Sequence, residues 1–109
     1  MKVLQNGEVL FDSVKTADTF ALRFLGLMPK KTLQPSEGLL LKNCSRIHTN
    51  FMRFTIDVIY LSKDGRVLDT ETVKPWRLGK RVDGTENILE VPENGARKFK
   101  RGEPISTEE

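Results

Sequence analysis

The stretch "IHTNFMRFTIDVIYLSKDG", residues 47–65, decides the fold. From Thr55 to Leu61 it is rich in β-branched and aromatic residues, and it runs into an Asp64-Gly65 pair, the pattern of a strand entering a tight turn. Phe51, Met52, Thr55, Ile56 and Ile59 would also satisfy a helical period. The branched side chains of Thr49, Thr55, Ile56, Val58 and Ile59, followed by the turn, favour the strand. Within it stands Asp57, between Ile56 and Val58. A carboxylate there is costly unless partnered, so the position serves either architecture or chemistry.

A two-residue type I′ turn at Asp64-Gly65 would place Lys63 opposite Arg66, Leu61 opposite Leu68, Ile59 opposite Thr70 and Asp57 opposite Thr72. Thr72 then offers Asp57 a hydroxyl; backbone amides or Arg23 are its other candidate partners. A structural role for Asp57 and Thr72 is the expectation. Asn6-Gly7, between "KVLQ" and "EVLF", predicts a second hairpin by the same reasoning.

Between the hairpins the spacing predicts one helix, over about residues 18–26, with Phe20, Phe24, Leu27 and Met28 at i, i+4, i+7 and i+8. Asp18 or Thr19 can cap it, and Gly26 followed by Pro29 can stop it. Arg23 lies off the Phe20/Phe24 stripe, facing water or reaching over the edge of the core. "KKTLQPSEG" reads as a loop delivering the strand "GLLLK". "NILEV" is a later strand ending at Pro92, "ENGARKF" a turn of helix, "GEPI" an edge strand and "STEE" a frayed tail. Strands outnumber helices and connections are short. The expected fold is mainly β: a compact antiparallel β-sandwich or barrel with one short packed α-helix, forming a single domain over residues 1–109.

No apolar run approaches the roughly 18 residues that span a bilayer, so no membrane partner is expected. The N-terminus lacks a leader's apolar segment and cleavage site, and the default expectation is a cytoplasmic protein. Cys44 is alone, which excludes an internal disulfide and a multi-cysteine zinc site. The 18 basic residues are set against 15 acidic ones, a weak bias. The clusters "KPWRLGKR" (74–81) and "ARKFKR" (96–101) read first as solvated surface, and nucleic acid is disfavoured as a partner. Trp76, within the first cluster, is expected to half-cover a sheet edge, an exposed partner surface being the alternative.

Four segments carry a family pattern: "RFLGLM" (23–28), "EGLLL" (37–41), "CSRIHTNFMRFTIDVIYLSKDGRV" (44–67) and "NILEVPENGA" (87–96). In order and spacing the chain resembles the bacterial and archaeal family called domain of unknown function 192, over roughly residues 15–105. The resemblance implies a small, mainly β domain and assigns no activity. Thr55 stands where many relatives of that pattern carry Pro, and Leu41 where Phe is frequent; neither change removes a polar motif residue.

The polar or reactive residues inside those motifs are Arg23, Cys44, His48, Thr49, Asp57 and Glu90. Glu90, between Leu89 and Val91, alternates away from both and is expected to meet solvent or a basic partner. Cys44 and His48 form a C-x-x-x-H pair that spans about 13 Å when extended, so a nucleophile and base would need a turn between them. Metal ligands with tetrahedral spacing are missing, and neither a metal nor a cofactor is expected. The leading expectation is a non-enzymatic binding module whose groove, lined by Arg23, His48, Thr49 and Met52, takes an anionic small molecule or an extended peptide. A hydrolase or transferase using Cys44 and His48, and weak nucleic-acid binding through the basic clusters, stay open as alternatives. Oligomeric state has no signature in the chain.

Overall fold

All six residues of β5 (Ile56–Leu61) are buried, so this strand has interior on both faces. The computed structural model describes all 109 residues, Met1–Glu109. β5 lies between β6 (Val67–Val73) and β7 (Asn87–Pro92) in a five-stranded sheet that continues through β4 (Glu37–Leu41) to β3 (Ser13–Ala17) at the far edge. A second sheet of three strands is built from β1 (Lys2–Gln5), β2 (Glu8–Phe11) and β8 (Ile105–Glu108), in the order β2-β1-β8. The architecture is a mainly β sandwich with one short helix, α1 (Phe20–Leu25).

Period-2 alternation divides β5 between two cores. Ile59 and Leu61 join Val3, Phe11, Val14, Leu89 and Val91 in the layer between the two sheets. Ile56, Val58 and Tyr60 join Leu27, Leu41, Ile47, Met52 and Ile88 on the opposite face, where no second sheet lies. That face is closed by α1 and by the connections 42–55 and 74–86.

The Asn6-Gly7 hairpin forms as expected: Gln5 pairs with Glu8, and both turn residues take positive φ, 54° and 78°. The second hairpin reaches the expected pairing by another route. Only Gly65 has a positive φ; the Ser62 amide donates to the Arg66 carbonyl and the Arg66 amide to the Ser62 hydroxyl, each at 3.0 Å, so the loop has three residues. This moves Leu61 onto Val67 instead of Leu68. A bulge then restores the register, and Ile59 faces Thr70 while Asp57 faces Thr72.

The pairing of β3 with β4 is parallel, the one departure from an antiparallel sandwich. Its cause is the long connection through α1, since a crossover of that length returns the chain in the same direction. Residues 106–108, expected to fray, instead pair with Lys2–Leu4 at the edge of the three-stranded sheet. No helix is long and apolar enough to cross a membrane.

Candidate functional site

The helix that was expected to pack by its phenylalanines does not bury them. Phe20 is 78% exposed and Phe24 58%, and no residue of α1 is buried. Thr19 caps the first turn, its Oγ1 accepting from the Leu22 amide at 3.2 Å, and Gly26 ends the helix at φ 49°. Leu27, just past the end, is the anchor that enters the core. The helix is therefore held off the sheet, and a cleft of about 200 Å³ opens beneath it.

Arg23, Phe24 and Gly26 line this cleft from the helix side, and Cys44, Arg46, Ile47, His48 and Met52 from the connection before β5. The Phe24 ring tilts against the His48 imidazole at a centroid distance of 5.9 Å. His48 is positioned by an antiparallel bridge to Leu78, and its Nδ1 accepts from the Asn50 amide at 3.3 Å. The second ring nitrogen is thereby left to act on a ligand. Arg23 donates from Nη1 to the Lys42 carbonyl at 3.3 Å and enters none of the molecule's ion pairs.

Thr49 is fully buried and works as a staple between the two connections. Its Oγ1 donates to the Lys74 carbonyl at 2.6 Å and accepts from the Arg77 amide at 2.9 Å, while its backbone pairs with Arg77 and Trp76. Its hydroxyl is thus engaged in holding the wall, and it is absent from the cleft lining. Of the four residues expected to form a groove, Arg23, His48 and Met52 converge.

Asp57 lies on the opposite face. Oδ1 accepts from the Thr72 hydroxyl at 2.8 Å and Oδ2 from the Ala96 amide at 3.0 Å. That amide belongs to the 3-10 turn Gly95–Lys98, which packs so closely that a Cβ on Gly95 would stand 2.8 Å from Val91 Cγ2. Both oxygens are satisfied without Arg23.

The acid that reaches the cleft is Glu90, and this overturns its expected exposure. β7 is an inner strand in which Glu90 pairs with Leu39 on one side and Val58 on the other, and the residue is only 2% exposed. Alternation did turn it away from Leu89 and Val91, but the face it turned to is a second interior. Its Oε1 has no hydrogen-bond partner and lies 3.8 Å from where a Cβ on Gly26 would stand. Burial pushes the carboxyl up to about 8, so at neutral pH it is mostly protonated. The missed signal was the run Val58–Leu61 of β5, four successive residues that give apolar side chains to both faces: a strand buried on both faces implies that its neighbour is too.

Cys44 is half-buried and donates from Sγ to the Arg46 carbonyl at 3.2 Å. Burial pushes the thiol up, with the nearby Glu90 adding to the effect, which is opposite to the activation a nucleophilic thiolate needs. No three His, Cys, Asp or Glu side chains gather as a metal cage.

The two basic clusters meet at one acid: Lys80 pairs with Asp69 at 2.7 Å, and Arg101 pairs with it from the other side. Those pairs hold Asp69 down at about 2, the Lys80 ammonium first among the causes. Trp76, expected to half-cover a sheet edge, is instead 56% exposed and packs against Phe51 with the rings tilted by 59° and their centroids 4.6 Å apart. Both aromatics hold positive φ, 66° for Phe51 and 61° for Trp76. Large side chains adopt that region only under constraint, here the bonds around Thr49.

The fold and site define a small β-sandwich whose helix-covered face holds a cleft with a buried acid at its floor. The chain belongs to the DUF192 family, described as "Uncharacterized ACR, COG1430", which matches residues 1–106. It is 39% identical to a UPF0127 protein of Thermococcus kodakarensis over 79% of this chain and 57% of that one. A UPF0127 protein of Pyrococcus furiosus is 37% identical over 78% of this chain and 82% of that one. The chain thus spans little more than half the length of the Thermococcus relative. Among solved structures, a protein of unknown function from Novosphingobium aromaticivorans superposes with a TM-score of 0.83 at 21% identity, over 97% of this chain and 84% of that one. A putative transcription regulator from Sinorhizobium meliloti superposes at 0.77 with 16% identity, over 96% of this chain and 89% of that one. At those identities the two structures support the fold alone.

Proposed function

We propose that this protein is a binding module whose cleft takes a small molecule, or the tip of an extended peptide, with an anionic group held by Arg23 and His48. The observation that carries this reading is Glu90. A buried polar atom without a partner costs about 1–3 kcal/mol, and an apolar side chain at this sheet position would avoid that cost. Its placement at the floor of an open cleft, beneath a guanidinium and an imidazole, is explained by a partner that arrives with the ligand. Phe24, Ile47 and Met52 supply apolar walls, and Met adapts to irregular shapes.

The test is a thermal-shift screen of small carboxylates and phosphates against the wild-type protein, Arg23→Ala and His48→Ala. A ligand at about 100 times its Kd adds about 2.7 kcal/mol, on the order of 10 °C for a domain of this size. The expected result is a compound class that raises Tm in the wild type and in neither variant. A screen with no hits, or hits that survive both substitutions, counts against the proposal.

A further inference from the structure

Resting on the cleft reading above, and going beyond it to the ligand's chemistry, we infer that the occupant is a zwitterion of the aliphatic amino-acid type. Its ammonium meets Glu90 at the floor and its carboxylate meets Arg23 at the mouth. Three observations lead there. The floor acid is sealed and Arg23 is partly exposed, yet neither is in an ion pair, the molecule's three pairs being Lys30–Glu37, Lys80–Asp69 and Arg101–Asp69. A buried acid and a guanidinium facing one cavity without touching leave room for a molecule that carries the complementary pair.

The second observation is the lining between them, where Phe24, Ile47 and Met52 match an aliphatic side chain. The third is size, since about 200 Å³ suits a single residue and not a longer segment. A purely anionic ligand would use Arg23 and leave the floor oxygen to a carboxyl that must stay protonated. A zwitterion satisfies both ends.

This chemistry predicts a proton count. The ionisable groups around the cleft are Glu90 on β7, Arg23 on α1, and Cys44, Arg46 and His48 on the connection before β5. An ammonium arriving at Glu90 favours the carboxylate, so at neutral pH the floor carboxyl gives up its proton to solvent on binding. The protonated acid and the ammonium go in; the ion pair and one released proton come out.

The experiment is isothermal titration at pH 7 with L-leucine, 4-methylpentanoate, which lacks the amine, and 3-methylbutylamine, which lacks the carboxylate. Each titration is run in HEPES and in Tris, whose ionisation enthalpies differ, so that released protons are counted. Leucine is expected to bind about tenfold or more tightly than either analogue, with proton release approaching one. E90Q should abolish that release and weaken leucine about tenfold while leaving 4-methylpentanoate unaffected; Arg23→Ala should weaken leucine and 4-methylpentanoate alike. If Glu90→Gln does not fold, the wild-type proton count decides. The inference is overturned if 4-methylpentanoate binds as well as leucine, if leucine binds without releasing a proton, or if none of the three binds. Stabilisation by another anion that Arg23→Ala abolishes would, in that last case, leave the broader cleft reading standing.

Discussion

The two faces of the five-stranded sheet bury one acid each, and the acids have opposite fates. Asp57 and Val58 are neighbours in β5, and Glu90 pairs with Val58, so the two carboxyl groups are adjacent in register and point in opposite directions. Under the three-stranded sheet, Asp57 meets a hydroxyl and an amide and is fully satisfied. Under the short helix and the two connections, Glu90 meets a cavity, and one of its oxygens is sealed with no partner. The difference lies in what covers each face. The neighbouring strand β6 and the 3-10 turn present fixed donors to Asp57 at close range, whereas a six-residue helix standing off the core leaves a cavity beside Glu90.

The sharpest way to break that contrast is to titrate it. The Glu90 carboxyl moves from an ordinary 4.5 to about 8 on folding, so the folded state binds the proton more tightly than the unfolded chain. Its contribution is fully present below about 4.5 and is lost as pH rises through about 8, a change on the order of 5 kcal/mol at most. Urea midpoints of the ligand-free protein should fall between pH 5 and pH 9, and those of Glu90→Gln should stay nearly level over that window. Parallel profiles for the two proteins would mean that the acid is not sealed.

A smaller effect is expected on the other face. Asp57→Ala removes two hydrogen bonds to a charged group, and the loss should be about 3 kcal/mol, read as a Tm lower by roughly 10 °C or more. It should leave ligand binding in the cleft unchanged, because no atom of Asp57 lines it. An Asp57→Ala protein as stable as wild type would dissolve the distinction between the two acids. Smallest of all is Phe20→Ser: at 78% exposure its substitution should alter stability by no more than about 0.5 kcal/mol in urea denaturation. A large loss there would show the helix to be packed after all.

Much of this was legible in the chain. The Asp57–Thr72 pairing followed from alternation and turn chemistry, and it held although the loop carries one residue more than expected, because a bulge at Leu68 compensates. The helix start at Thr19 and stop at Gly26 followed from capping preferences. Arg23, His48 and Met52 were candidates from the sequence, and the cleft brings them together. Thr49 became a staple and Trp76 half of an exposed, tilted aromatic pair because both depend on where residues 74–78 return, which local pattern does not encode.

Sequence alone determined that β1, β2 and β4 to β7 form strands, that Asp57 faces Thr72 and which side of β7 Glu90 occupies, since those are consequences of backbone periodicity and turn residues a few positions away. Only the tertiary structure decided that this side is a second interior, that the phenylalanines of α1 stay outside, and that an acid with one unpartnered oxygen lies at the floor of a cleft. The reason is range: periodicity sets the direction of a side chain, but its environment is set by segments dozens of residues distant that the fold lays across it.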